Sequence, residues 1–286
     1  LATEIVVITR DIERNKSLKM IPNLKLVPAS ISDSKTIRDI LKNTEIVVNT
    51  IGILNEFDQI NTFENIHFKF LQRLSQEIKV NKIKRFLHIS SLNAKIDQMS
   101  DYLHTKGKAE DFILNEMNSF CNTTIFRPSI VFGEEDSFFN KFAKLLKFIP
   151  IFPLACPYAR FQPIYVGDLT DFMISCISNI ETYNKKIDTV GPKIYTFSEL
   201  IKLTTKTMGI RRVIIPLNDS LSKAQAYVFQ NLPGKIFTMD NYYSLQIDSV
   251  SENGYVGKTT VEHTLPNYLN IKDESEELRK KAGRKK

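Results

Sequence analysis

Residues Arg85–Lys106, RFLHISSLNAKIDQMSDYLHTK, set how the rest of the chain is read. The run opens on an apolar stretch, Arg85–Ser90, that predicts a strand, and it breaks at Ser90–Ser91. Twelve residues beyond Ser90 stands Tyr102, with Lys106 one helical turn later. The i, i+4 spacing puts phenol and ammonium on one helix face. A cation there favours the tyrosinate and lowers the tyrosine pKa, which makes Tyr102 a usable acid or base near neutral pH. Lys106 can also hold a nicotinamide ribose. Ser90 is placed to polarise a carbonyl or hydroxyl, and the three groups together suit hydride transfer. Tyr268 and Lys272 repeat the spacing beside a charged tail, so the strand and serines ahead of Tyr102 are what single it out. An exposed helical pair is the competing reading.

Outward from that stretch, strand-like runs at Ile5–Thr9, Leu24–Pro28, Ile46–Ile51 and Thr123–Arg127 alternate with helix-like runs at Asp33–Lys42, Thr62–Val80 and Ser100–Asn118. Phe63, Ile66, Phe70, Leu71, Leu74 and Ile78 form the stripe of a helix packed on a sheet. Such alternation predicts an α/β, doubly wound parallel sheet of the Rossmann type. After Arg127 the regularity loosens among Pro150, Pro153, Pro157 and Pro163, with helices still legible at Asp168–Ile180 and Phe197–Met208. The expected organisation is a dinucleotide-binding domain over 1–135, a smaller C-terminal lobe over 136–270 interleaved with it, and a charged flexible tail over 271–286. Because the chain enters a strand at Glu4–Thr9 with no glycine-rich turn ahead of it, the sheet is expected to lack its first strand and phosphate turn. That segment lies before residue 1 or is absent. Its absence predicts weak or no dinucleotide binding and a partly exposed sheet.

A doubly wound sheet takes its ligand beyond the carboxyl ends of its strands, so the residues there are the binding candidates. Arg10 ends the first run, where an acid for a ribose 2′-hydroxyl is usual; an arginine pairs instead with a 2′-phosphate, favouring NADP(H) over NAD(H). It also reads as a solvated surface arginine. Ser30 and Ile31 follow the second run, and Asn49 and Gly52 the third, small enough to let backbone approach a nucleotide, although Gly52 equally suits an ordinary turn. Pro128 leads an extended stretch, Arg127–Gly133, across the nicotinamide position, or simply closes a strand.

Forty-two per cent hydrophobic residues in a chain of 286 supply one large core or one core and a small lobe. The net charge of +7 comes partly from Arg279–Lys286, which weakens any nucleic-acid reading. Three scattered cysteines fit neither a disulfide framework nor a zinc cluster, and a reducing compartment suits them. The four histidines have no metal-ligand spacing, so no metal is expected, and each reads as a surface or packing residue. Phe138–Phe148, FFNKFAKLLKF, sets an apolar stripe against Lys141, Lys144 and Lys147. Such a helix rests on an anionic membrane surface or a partner, or else closes the core.

Arg85–Ala94 (RFLHISSLNA), Tyr102–Lys106 (YLHTK), Phe126–Asp136 (FRPSIVFGEED) and Phe161–Asp168 (FQPIYVGD), in that order, resemble a known family. It is the atypical short-chain dehydrogenase/reductase group containing the alpha-subcomplex subunit 9 of respiratory complex I, NADH:ubiquinone oxidoreductase. Gly191–Leu200 and Leu232–Asp240 extend the likeness to about Leu269. The resemblance implies an accessory protein holding NADPH, docked on complex I subunits near the membrane. A bacterial-type member at the cytoplasmic face of the inner membrane is expected first, the mitochondrial matrix face second. Its cofactor contacts carry over to Arg10, Ser30, Ile31, Asn49, Gly52, Ser90, Tyr102, Lys106 and Pro128. The family's G-x-x-G-x-x-G turn does not occur in these residues. Two other readings stand beside the accessory one: a working NADP-dependent reductase, epimerase or dehydratase using Ser90, Tyr102 and Lys106, and a redox-sensing dinucleotide binder.

Overall fold

The computed structural model describes residues 4–232 and 234–269. The first half runs β1 (Ile5–Thr9), β2 (Leu24–Pro28), α1 (Ser34–Leu41), β3 (Ile46–Asn49), α2 (Phe70–Val80), β4 (Arg85–Ile89), α3 (Asp101–Glu116) and β5 (Asn122–Pro128). The lobe follows as β6 (Val131–Phe132), α4 (Phe139–Phe148), β7 (Ile151–Leu154), β8 (Arg160–Phe161), β9 (Ile164–Tyr165) and α5 (Val166–Cys176). The remainder is β10 (Lys185–Val190), β11 (Tyr195–Thr196), α6 (Phe197–Thr207), β12 (Val213–Pro216), α7 (Asp219–Phe229), α8 (Met239–Ser244), β13 (Tyr255–Val256), α9 (Val261–Thr264) and α10 (Pro266–Leu269).

Five strands make the main sheet in the order β13-β10-β5-β4-β3, all parallel. Alternation along β4 shows why both faces are covered. Phe86 faces a core with Leu71, Ile78, Ile113 and Ile125, supplied by α2, α3 and β5, whereas Leu87 faces Phe126, Ile164, Leu169 and Met173, the last two from α5. The doubly wound parallel sheet is therefore present, and β10 and β13 show that the later part of the chain feeds it directly.

β1 and β2 pair in parallel as a separate sheet. In a strand order of 3-2-1-4, β1 and β2 take positions 2 and 3, and β3 takes position 4. The break between β1 and β3 thus falls where the expected first strand would lie. Ile5, Val6 and Ile8 on one side and Ile46 and Val48 on the other are exposed accordingly. α1 carries the β1–β2 pair onto the body. Its N-cap Asp33 accepts from the Thr36 amide, its Ile37 and Leu41 are buried four residues apart, and Arg38 grips Glu77 of α2 at 2.9 Å.

The lobe has its own aromatic core, built on Phe132, Phe139, Phe152, Phe161 and Phe197. α4 supplies it with Phe139, Ala143 and Leu146, and Phe138, Phe142 and Leu145 pack against the same cluster. The apolar stripe of this helix therefore closes the core. Of the two readings of Phe138–Phe148, closing the core is the one this packing matches, while Phe148 at its end stays exposed. The tail from Lys272 lies outside the described residues.

Candidate functional site

The site is assembled at the start of α3. Ser100 is the N-cap, its hydroxyl accepting from the Leu103 amide at 3.3 Å. Asp240, from α8 in the lobe, accepts from the Tyr102 amide at 3.3 Å and from the Ser100 hydroxyl at 3.1 Å. Two of the amides that a helix start leaves open are thereby satisfied, one by a side chain far away in sequence. Gly107 completes the seating: a Cβ there would lie 2.4 Å from the Lys95 carbonyl carbon, so only glycine lets α3 approach the loop after β4 so closely.

On this helix Tyr102 lies edge-on to Phe63 and His67, with ring centroids 5.9 and 5.6 Å away. The Ser91 hydroxyl lies near its phenol and acts to favour the tyrosinate. Burial nevertheless raises the phenol's pKa, Asp240 pushes the same way, and only Ser91 opposes them. The expected lowering by Lys106 does not occur. Lys106 is buried with its ammonium donating to the Ile89 carbonyl at 2.9 Å, and burial lowers it to about 8 despite Glu110. Gly52 faces it closely, for a Cβ at that position would sit 3.2 Å from Nζ and 3.7 Å from His67 Nε2.

Two histidines that sequence reasoning set aside form the floor. His67 is carried inward on a widened π-helical turn, Glu64–Lys69, at the head of what was expected as one regular helix. Its Nε2 accepts from the Ile53 amide at 3.1 Å, and its Nδ1 lies 3.0 Å from Thr105 Oγ1. Because the Thr105 hydroxyl donates to the Asp101 carbonyl, Nδ1 is the atom that carries the proton. Burial, with Lys106 adding repulsion, takes His67 down to about 3. His88 is fully buried on β4 and held well below its ordinary pKa for the same reasons. Asn49 gives its carbonyl oxygen to the Ile51 amide and turns its amide to His88 Nδ1 at 3.1 Å. The His88 proton therefore sits on Nε2, which has no partner among the described residues.

Ser90 and Ser91 divide differently from expectation. The Ser90 hydroxyl donates to buried Glu110 at 2.5 Å, beneath α3 and away from Tyr102. Phe86, His88 and Ser90 alternate onto the sheet face that α3 covers, so a helix-facing Ser90 follows from strand parity. Ser91 is the serine at the phenol. Glu110 in turn lies 3.3 Å from Arg127 Nε and 3.0 Å from Lys186 Nζ, and Arg127 reaches Asp188 at 3.2 Å. Burial still raises the Glu110 carboxyl pKa, against the pull of both cations.

Asn49, Gly52, Ser91, Tyr102 and Lys106 thus converge at the ends of β3 and β4, with Pro128 ending the adjacent β5 and its carbonyl accepting from Leu92. Arg10, Ser30 and Ile31 stand apart at the ends of β1 and β2. Arg10 donates to Asn61 at 3.3 Å, the Ser30 hydroxyl bonds Ser32, and Ile31 packs on the α2 side of the core. Beside Tyr102 opens a cleft of about 400 Å3 between the two lobes, lined by Asn55, Phe63, Asp101, Lys235, Asp240 and Tyr243. Asn55 Oδ1 is buried there without a partner among the described residues. None of His67, His88, Glu110 and Asp240 was legible as part of a site; His88 and Asp240 fell in quoted family stretches without a role assigned to them.

Residues 2–139 match the NAD(P)H-binding family model, and residues 89–200 match that of the 3-beta hydroxysteroid dehydrogenase/isomerase family. The chain is 26% identical over 167 residues to NADH dehydrogenase (ubiquinone) 1 alpha subcomplex subunit 9, mitochondrial, of Dictyostelium discoideum, covering 58% of this chain and 45% of that protein. The Mus musculus protein of the same name is 32% identical over 132 residues, covering 45% of this chain and 34% of its own length. In these matched stretches the chain is similar to the alpha subcomplex subunit 9 group of atypical short-chain dehydrogenases/reductases. The matches span less than half the length of these curated relatives of the subunit 9 family. The UDP-glucuronic acid 4-epimerase of Bacillus cereus superposes with a TM-score of 0.68 at 15% identity, over 96% of this chain and 91% of its own, which shows the shared fold.

Proposed function

We propose that this chain is a dinucleotide-holding accessory subunit of respiratory complex I. In this reading NADPH is kept for structure with little turnover. The complex I names of its relatives support the partner, and the proposed site is the periphery of the inner membrane, at the cytoplasmic face of a bacterium or, second, the mitochondrial matrix face. The observation that carries low turnover is that the reactive groups are already engaged: Ser90 by Glu110, Lys106 by the Ile89 carbonyl, and Tyr102 held protonated by burial.

A bound dinucleotide supplies the hydride-carrying carbon. Toward it, the Lys106 ammonium fits the ribose hydroxyls, the Tyr102 phenol donates a hydrogen bond, and the unpartnered His88 Nε2 proton is a spare buried donor. Gly52 and Asn49 leave room for backbone approach, Ser30 and Ile31 border the adenine end, and Pro128 shapes the far wall. The pyrophosphate end asks for amides at a glycine-rich helix start, and no G-x-x-G-x-x-G occurs in these 286 residues. Arg10 favours NADP(H): its exposed guanidinium can reach a 2′-phosphate in exchange for its bond to Asn61 and its attraction to Asp58. In the full-length gene product, Arg10→Ala is expected to weaken NADPH binding by about 10- to 100-fold and leave NADH unchanged, as judged by calorimetry. Equal loss for both nucleotides removes the NADP assignment.

The whole reading is tested by purifying the protein from membranes. It should travel with NADH:ubiquinone oxidoreductase and release intact NADPH on denaturation. Steady NADPH oxidation at catalytic rates would overturn it. One observation favours a working reductase instead, namely the Ser91 hydroxyl near the Tyr102 phenol beside an open cleft. That reading requires turnover to vanish in Tyr102→Phe while nucleotide binding persists.

A further inference from the structure

Two stretches of the lobe carry positive charge with no negative charge. Residues 137–159 hold Lys141, Lys144 and Lys147 and no Asp or Glu. Residues 200–217 hold Lys202, Lys206, Arg211 and Arg212, again with no acid. The fold joins them: α4 packs on α6, and β7 pairs in parallel with β12. Arg212 fastens the junction by donating to the Leu146 carbonyl at 2.6 Å and the Lys147 carbonyl at 3.1 Å, capping the end of α4.

The register sets Ile151 beside Val213 and Pro153 beside Ile215. Alternation turns Phe152, Leu154 and Ile214 into the aromatic core, so the other four residues share the outer face. There Ile151, Val213 and Ile215 remain 56%, 60% and 44% exposed, and Phe148, at the end of α4, is 85% exposed. Single exposed aliphatics are ordinary; a contiguous block of this size edged by cations marks a contact surface.

We propose that this face, Phe148 with the outer side of β7 and β12, docks on an anionic phospholipid bilayer. Large apolar side chains project from the sheet to the depth of the acyl boundary, and Lys144 and Arg211 stand at headgroup level. The same lobe region for which a membrane surface was one of the readings is thus used, through the end of α4 and its neighbouring strands rather than through its buried stripe. The proposal needs neither a bound dinucleotide nor complex I, so it stands or falls separately from the accessory role.

The test is flotation of the purified full chain with vesicles of phosphatidylglycerol and phosphatidylcholine, and with phosphatidylcholine alone, at physiological salt. Binding to the anionic vesicles should exceed binding to the neutral ones by at least about tenfold. Two double variants of exposed residues, Lys144→Glu with Arg211→Glu and Ile151→Asn with Val213→Asn, should each lose about tenfold, with thermal melting unchanged. A loss in either well-folded pair supports the face. Survival of binding in both overturns it and assigns the lipid to the basic residues 279–286 of the chain. Equal binding to neutral vesicles overturns it too, and binding to neither leaves an acidic protein surface as the occupant.

Discussion

Glu110→Ala is expected to lower the folding free energy by about 3 kcal/mol, enough to remove a large part of the stability of a domain this size. Glu110 is wholly buried, accepts from Ser90, and faces Arg127 and Lys186. Removing it leaves two cations and a hydroxyl turned toward a site with no acceptor, which ordinarily costs about 3–5 kcal/mol. The lower end applies because each cation keeps a second partner: Arg127 has Asp188 and Lys186 has Asp111, both at 3.2 Å. Glu110→Gln keeps an acceptor for Ser90 and is expected to cost about half as much. The pH dependence separates charge from shape. Since burial raises the Glu110 pKa, the folded state holds this proton more tightly than the unfolded one. The stability it contributes is therefore greatest at low pH and declines as pH rises from the ordinary value through the raised one. Urea denaturation of both variants followed by circular dichroism is the measurement, and a loss under about 1 kcal/mol for Glu110→Ala would show that the network is solvated.

The consequence for the site is geometric. Ser90, Glu110, Arg127 and Lys186 tie β4, α3, β5 and β10 together immediately beneath Lys106, so the position of the ammonium depends on an ion cluster that touches no ligand. Such a cluster is a positioning device, and its residues come from four separate elements.

That scatter explains what the sequence revealed and what it hid. β4 and α3 were legible because an apolar run and a capped amphipathic run each have a period of their own. The widened turn at Glu64–Lys69 was not, since its apolar stripe reads as ordinary helix until His67 is seen bonded at both ring nitrogens. β10 escaped notice because Lys185, Lys186 and Asp188 interrupt its apolar pattern. Two of those charges are consumed inside the fold, Lys186 by Glu110 and Asp188 by Arg127 and the Ser251 hydroxyl. The binary pattern records polarity and not whether a charge has found a partner. The serine assignment failed for a more local reason, because Tyr102 was paired with the strand's last residue when parity places that residue under the helix. Asp240 was beyond reach altogether, joined to Ser100 and Tyr102 only by the closing of the lobe.

The buried histidines give the second large effect, a crossing of stability curves. Wild type and His67→Gln are expected to exchange order near pH 5 to 5.5. At neutral pH His67 is uncharged, receives the Ile53 amide and donates to Thr105. Gln can keep one of those bonds in good geometry, so the variant should be less stable there by about 1–2 kcal/mol. Below the ordinary histidine pKa of 6.5 the unfolded chain takes up a proton that folded His67 refuses until about pH 3. The unfolded state then binds more protons, and wild-type stability falls with pH by about 1.4 kcal/mol per unit on account of this one group. Gln carries no such penalty, so the initial deficit is offset within one to one and a half units. Glu110 and Asp240, whose raised pKa values act in the opposite sense over part of the same range, are common to both proteins and cancel in the difference. His88 is likewise common and keeps titrating in both. The difference in unfolding free energy, measured by urea denaturation at half-unit steps from pH 7.5 to about pH 4.5, isolates His67. A difference that stays constant across the range would mean that the ring is hydrated and titrates normally, and would remove the dry floor on which Lys106 and Gly52 have been placed.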